Sequence, residues 1–174
     1  MVKALVAVLR VLRTHIAEFD RQIAAALAVH PDLAIVRSLP GAGEVMEPRL
    51  IAAMGTQRDR YPSACELAAM SGIAPVQQRS GQSCIVHFRW ACPKFVRQTF
   101  HEWAGHTIAR SKWAKAYYDE QIRKNKGHHA AVRALAFKWQ RILFRCWKDG
   151  RPYDESRYIE ALRRRGSPLA QALS

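Results

Sequence analysis

A serine in a short polar segment is the residue best suited to nucleophilic chemistry. The segment RSGQS at residues 79–83 places Ser80 directly before a glycine. A serine hydroxyl attacks a phosphate only when a base or nearby cations activate it and stabilise the developing charge. The basic residues nearest in sequence are Arg79, Arg89, Lys94 and Arg97. From residue types and spacing alone, an ordinary solvated turn serine is the simpler interpretation.

A glycine-rich turn is the second candidate for a functional role. The segment LPGAG at residues 39–43 offers Gly41, Ala42 and Gly43 between two predicted short helices. Glycines allow a tight turn and let a phosphate approach backbone N–H groups. Such a turn resembles the hairpin of a helix-hairpin-helix motif, which holds the DNA backbone without reading its sequence. Pro-Gly pairs also mark plain turns, but the charge of the chain favours the DNA contact.

The overall charge indicates a polyanionic partner. The chain has 28 Lys and Arg against 14 Asp and Glu, a formal net charge of +14. Each phosphate that a cation neutralises releases counterions, so such an excess favours binding to nucleic acid. No segment combines a basic face with a wide aromatic face, and a membrane surface is therefore not predicted. The 4 cysteines form no C-x-x-C pair, which predicts neither zinc nor disulfides and favours a cytoplasmic, nucleoid-associated protein.

Other polar residues are weaker candidates for chemistry. His128 and His129 are adjacent, so on a helix their side chains point apart, and we interpret them as helix-start residues or phosphate contacts. No metal site is therefore predicted in this chain. Tyr117 and Tyr118 lack the Arg-His-Arg-Tyr arrangement of a tyrosine recombinase.

The first 29 residues predict a helix with an apolar heptad seam. Spacings of four and three residues alternate along the seam, as in about three heptads of a coiled coil. The seam consists of Leu5, Leu9, Leu12, Ile16, Phe19, Ile23 and Ala26. Two interpretations remain open, namely a coiled-coil or helical-hairpin arm and an amphipathic helix packed on its own domain. A seam that begins so close to Met1 also suggests that the chain starts in the middle of a larger architecture.

The remaining sequence predicts a mainly α fold, a helical bundle with a short irregular β hairpin within residues 76–90. Asp32 is predicted to cap a short helix, and Ser63 with Glu66 forms a capping-box pattern. After Pro93, Phe95 joins an apolar stripe, and Lys94, Arg97 and His101 form a second, basic face. We predict a main domain over residues 30–155, and a terminal helix with a fraying tail over residues 156–174.

Several runs together resemble the C-terminal domain of the DEDD-type insertion-sequence transposases, the family that includes bridge-RNA-guided recombinases. The matching runs are SLPGAG at 38–43, ELA at 66–68, GIAP at 72–75, RSG at 79–81, RWACPKFVRQTF at 89–100 and HHAAVRALAFKW at 128–139. The resemblance implies that Ser80, with Ser83 as the fallback, attacks a DNA phosphodiester and forms a covalent intermediate. It also implies that the heptad helix is an arm for homo-oligomer assembly, and that a guide RNA is a further partner.

The resemblance also implies a component that this sequence does not supply. Such enzymes need four acidic residues in an N-terminal RuvC-like domain that binds magnesium, whereas the acids here are few and scattered. We therefore expect a fragment that binds nucleic acid and does not recombine it alone, with magnesium held by the absent domain. The alternatives are a non-enzymatic helix-hairpin-helix nucleic-acid-binding module and a helical assembly protein whose charge only keeps it dissolved.

Overall fold

The computed structural model describes residues 1–87, 89–171 and 173 of the 174-residue chain. The predictions for residues 76–90 and 156–174 therefore include three positions, 88, 172 and 174, that lie outside the described residues. Within the described part, the helices are α1 (Val2–Ala28), α2 (Leu33–Arg37), α3 (Met46–Met54), α4 (Ala64–Met70), α5 (Lys94–Thr107), α6 (Lys112–Arg123), α7 (His128–Asp149), α8 (Glu155–Arg164) and α9 (Pro168–Gln171). The strands β1 (Val76–Ser80) and β2 (Ser83–His87) form an antiparallel pair, so the predicted mainly α fold with a small hairpin is confirmed.

Side-chain caps explain where several helices begin. Ser63, Ser111 and Asp154 each accept a hydrogen bond from a backbone N–H in the first turn of α4, α6 and α8, respectively. Each bond satisfies an N–H that the helix itself leaves unpaired. Asp32 occupies the predicted N-cap position of α2, but its side chain makes no capping bond. Its two carboxylate oxygens instead accept hydrogen bonds from the guanidinium of Arg58, with an Nη1–Oδ2 distance of 3.0 Å.

The core is built around α7, which packs against α4, α5 and α6. Trp139 of α7 lies between two other fully buried tryptophans, with ring centroids 5.1 Å from Trp103 and 4.5 Å from Trp113. Each of these indoles donates a hydrogen bond, and so does the buried indole of Trp147. Large rings with satisfied N–H groups combine apolar burial with fixed orientation. The core therefore orders the helices that carry the candidate site.

Helix α1 makes no comparable contribution to the core. None of its residues is buried, and the large side chains of the heptad seam are exposed by between 46% at Ile23 and 62% at Phe19. No part of residues 1–87, 89–171 and 173 covers this face, so the described structure does not support the interpretation of a helix packed on its own domain. None of the helices in the described part combines the length and the apolar composition that crossing a bilayer requires.

Two further predictions differ from the structure. Phe95 does not join the apolar stripe of α5; it is half-exposed, and the guanidinium carbon of Arg49 lies 5.6 Å from its ring centroid. The expected fraying tail instead forms α9, whose Leu169 and Ala170 are buried among the core residues. Apolar burial of these two side chains favours the docked tail over a solvated one.

Candidate nucleic-acid interface

Ser80 is the last residue of β1, at the tip of the exposed hairpin. It pairs directly with Ser83 across the two-residue loop formed by Gly81 and Gln82. Gly81 has φ +57°, and a glycine with positive φ at the first loop position is typical of a type II′ turn. Every residue from 77 to 87 is exposed, so the tip is open to a large ligand.

The pleat determines which side chains accompany Ser80. Residues two apart on a strand share a face, and directly paired residues lie on the same face. Ser80 and the fallback Ser83 therefore share a face, together with Gln78 and His87, whose side chains meet at 3.0 Å. Arg79 lies on the opposite face. No acidic residue occurs between positions 76 and 87.

The other predicted cations lie at the base of the hairpin. Arg97 Nη1 donates a hydrogen bond to the backbone oxygen of Arg89 at 3.2 Å, so Arg97 holds the chain that leaves β2. Arg89 is partly buried, and its Nε has no hydrogen-bond partner in the described part of the chain. A five-residue strand separates tip from base by roughly 13 Å, at about 3.3 Å per residue. The structure therefore does not gather these cations around Ser80.

Gly72 fixes the base of the hairpin from the other side, and replacing it has a predictable cost. It adopts φ +74°, and a Cβ added there would lie 2.8 Å from Cys92 Cβ. The Gly72→Ala substitution should lower the free energy of unfolding by about 2–4 kcal/mol, because it adds backbone strain and overpacking. Thermal or urea unfolding measures the loss. The control is Gly105→Ala in α5, which meets open space and should gain roughly 0.5–1 kcal/mol. Equal stability of the two variants would contradict this role of Gly72.

The side chains of the basic face predicted on α5 lie in different environments. Lys94 is exposed at the first residue of the helix. His101 is half-buried, and its ring centroid lies 5.6 Å from that of His129, near the start of α7. Burial lowers the pKa of His101 below its ordinary value of 6.5, and the charges of His129, Arg133 and His128 add to this effect against a hydrogen bond to the His129 backbone. His101 thus belongs to a histidine cluster between α5 and α7.

The glycine-rich loop joins α2 to α3 and packs against residues of α5. Trp103 Nε1 donates to the Pro40 oxygen at 3.0 Å. Gly41 has φ +75°, and a Cβ there would lie 3.0 Å from His106 Cβ, so a larger residue would disturb the fold itself. Gly43 faces open space, and its carbonyl oxygen accepts the first bonds of α3. The loop therefore presents its backbone on a rigid support.

Two cations beside this loop were not predicted from the sequence. Arg37 and Arg110 line an open depression of about 560 Å³ together with Gly41, Ala42 and Tyr153. Arg37 also contacts Glu47, with an Nε–Oε2 distance of 3.3 Å. Arg110 comes from the connection between α5 and α6, far from the loop in sequence, so no local spacing signals it.

The family resemblance implies magnesium in the absent N-terminal domain and not in this chain. Across residues 1–87, 89–171 and 173, no group of three or more His, Cys, Asp or Glu side chains is placed to hold a metal ion.

Comparison with known proteins defines the class as insertion-sequence transposases. The family model described as the transposase IS116/IS110/IS902 family matches residues 33–119, half of the chain. The protein belongs to this family. The predicted resemblance is thus confirmed, and its match covers the glycine-rich loop, the hairpin and α5.

Three relatives have similar degrees of identity. The chain is 30% identical over 143 residues to the mini-circle IS117 protein of Streptomyces coelicolor, which is named as a candidate transposase, covering 82% of this chain and 33% of the relative. It is 28% identical over 144 residues to a 42 kDa protein of insertion element IS900 from Mycobacterium paratuberculosis, covering 82% and 36%. It is 30% identical over 138 residues to a 43.6 kDa protein of insertion element IS110 from Streptomyces coelicolor, covering 78% and 33%. The chain therefore spans about a third of the length of these relatives.

Proposed function

We propose that this chain is the part of a transposase that binds DNA and supplies Ser80 as the nucleophile for strand cleavage and transfer, acting on DNA in the cytoplasm. In the step proposed, Ser80 Oγ forms a bond to phosphorus while the bond from phosphorus to a deoxyribose oxygen breaks. The serine proton ends on the leaving oxygen. The single observation that carries the proposal is the exposure of Ser80 at the tip of a hairpin in a member of a transposase family.

The position of the cations supports different roles for the base and the tip of the hairpin in contacting DNA. Lys94 begins α5, which follows the hairpin in the chain, and the tip of the hairpin lies roughly 13 Å from its base. One strand of B-DNA advances about 3.4 Å per nucleotide, so a duplex along the hairpin places the base roughly four nucleotides from the phosphate at Ser80. The base thus holds flanking phosphates, and activation of the hydroxyl comes from the rest of the intact transposase.

The glycine-rich loop supplies a second backbone contact in this proposal. Ala42 lines an open depression with two nearby arginines, and the neighbouring Gly43 meets open space, which suits the phosphates of DNA. Because Gly41 is tightly packed, the Gly43 side of the loop is the better place to test contact with DNA. Binding of this kind is independent of base sequence and weakens steeply with salt.

The test of the proposed function is the site of covalent attachment. The intact transposase is incubated with a plasmid that carries the ends of its own element, denatured and digested, and the peptide linked to nucleotides is identified by mass spectrometry. We expect attachment at Ser80. Attachment at Ser83 would move the nucleophile to the fallback position. Salt-dependent DNA binding without any adduct would favour the non-enzymatic nucleic-acid-binding module instead.

The exposed seam of α1 supports assembly with a second copy as part of the same proposal. The double variant Leu12→Asp/Ile16→Asp is expected to convert the proposed oligomer to a monomer, because a charge in a coiled-coil seam must be desolvated when the helices pair. Sedimentation velocity measures the change in mass. Thr14→Asp places a charge on the opposite side of the helix and is expected to leave the oligomer intact. Since α1 is outside the core, the seam variant and the Thr14→Asp control should unfold at the same temperature. An unchanged mass for the seam variant would exclude this assembly.

A further inference from the structure

A wide groove separates the C-terminal half of α7 from α8, on a surface that the proposed function does not use. It has a volume of about 720 Å³. The connection from Asp149 to Asp154 closes one end, and Ala64 of α4 lies at its edge. Neither the β hairpin nor the base of the hairpin lines it.

The rim of the groove is strongly cationic. Six basic and two acidic side chains line it, which gives a net charge of +4. The basic side chains are Lys138, Arg141, Arg145, Arg151, Arg157 and Arg165. Both acids are already occupied, because Asp149 pairs with Arg145 at 2.6 Å and Asp154 caps α8 by accepting from the Arg157 N–H. In the described part of the chain, no ion pair involves Arg141, Arg151 or Arg165. Burial lowers the pKa of Lys138, and the charge of Arg141 adds to this effect against the opposing charge of Glu120.

The floor of the groove is apolar and partly aromatic. Ile142, Phe144 and Tyr158 contribute to it, and all are half-buried rather than covered. A duplex presents only phosphates and sugars outside its grooves, so it would leave this floor uncovered. A single strand has unstacked bases that can lie on an apolar floor while its phosphates reach the cationic rim. The chemistry of rim and floor together therefore favours a single strand.

The groove also adjoins the glycine-rich loop. Tyr153 lines both the groove and the depression beside Gly41 and Ala42. The groove and the depression therefore meet at this residue. This juxtaposition favours DNA as the source of the strand, since the backbone contact proposed at the loop would bring DNA to the edge of the groove.

We propose that the groove between α7 and α8 binds a single-stranded segment of DNA, phosphates on the arginine rim and bases on the apolar floor. The proposal rests on the proposed function, in that cleavage leaves an unpaired strand next to the duplex held by the loop. The groove keeps that strand on the protein between cleavage and joining.

The test compares single-stranded and duplex binding by fluorescence anisotropy, with oligo-dT, a blunt duplex, oligo-U and a poly-glutamate peptide as probes. The double variant Arg141→Gln/Arg165→Gln is expected to weaken oligo-dT binding by about tenfold or more. Its salt dependence should fall by about 1.4 in slope, or roughly 0.7 for each lost phosphate contact on a single strand. Duplex affinity should change by less than about twofold. The control, Lys112→Gln/Arg123→Gln, removes two exposed charges from α6, outside the groove.

A second variant tests the floor. Ala161 is half-buried in the groove on α8, and Ala161→Glu should weaken oligo-dT binding while circular dichroism confirms an intact fold. Unchanged oligo-dT affinity in the rim variant, an equal loss for duplex, or preferential binding of oligo-U or poly-glutamate would overturn the proposal. In each of those cases wild-type duplex binding and the Ser80 adduct persist. Loss of both in the wild type would instead remove the proposed function.

Discussion

Replacing Ser80 by alanine in the intact transposase is expected to lower strand transfer by at least about 10³-fold while DNA affinity stays within about threefold. The alanine lacks the oxygen that forms the bond to phosphorus, so the covalent step has no substitute of equal reactivity. The hydroxyl contributes at most one hydrogen bond to binding, which is why affinity should hardly change. Excision or circle formation in cells measures transfer, and a gel-shift titration measures affinity.

The neighbouring serine provides a matched control for this prediction. Ser83 pairs directly with Ser80, lies on the same face of the hairpin and is equally exposed. Ser83→Ala therefore removes the same atom from the same surface one strand away, and strand transfer should remain close to wild type. If Ser83→Ala were the inactive variant and Ser80→Ala the active one, the roles of the two serines would be exchanged. Retained transfer in the double variant would exclude a serine of this hairpin altogether.

The architecture explains why an exposed hairpin can still present its serine reproducibly. A two-stranded ribbon alone is marginally stable in water. Here its base is tied to the bundle, because Arg97 holds the Arg89 carbonyl and Cys92 packs against Gly72. The tip remains exposed and is open to a large ligand. A nucleophile that attacks a bulky polymer needs both a fixed position and free access. The anchored base of the hairpin provides the first, and its exposed tip provides the second.

Much of the secondary structure could be predicted from local signals. Ser63 starts its helix as the capping pattern predicts. Pro31 lies between α1 and α2, and Pro93 directly precedes α5, as its missing N–H requires. Asp32 is at the predicted N-cap position, but its side chain makes no capping bond because a tertiary partner, Arg58, takes both carboxylate oxygens. The prediction that Phe95 joins the apolar stripe of α5 is wrong for a related reason. A residue at the end of a helical stripe can turn to the surface when a cation covers its ring.

The candidate site was less predictable, because its parts are brought together by pleat and packing. Closeness in sequence suggested that Arg79 accompanies Ser80, yet adjacent strand residues point to opposite faces. The groove depends on cations from α7 and α8, and the depression at the glycine-rich loop depends on Arg110. Helical spacing identifies which face a residue occupies, but it does not identify which other helix that face meets.

Substituting Trp139 by alanine is expected to produce the largest loss of stability, about 3–5 kcal/mol in the free energy of unfolding. Its side chain is fully buried between Trp103 and Trp113, and its Nε1 donates to Thr107 Oγ1 at 2.8 Å. The substitution therefore leaves a cavity and also removes the donor to a buried hydroxyl. Urea unfolding followed by circular dichroism measures the change, with Trp90→Ala as the control because Trp90 is 83% exposed. A loss of under about 1 kcal/mol at Trp139 would contradict a core organised around α7, since filling by neighbouring side chains rarely recovers a volume of this size.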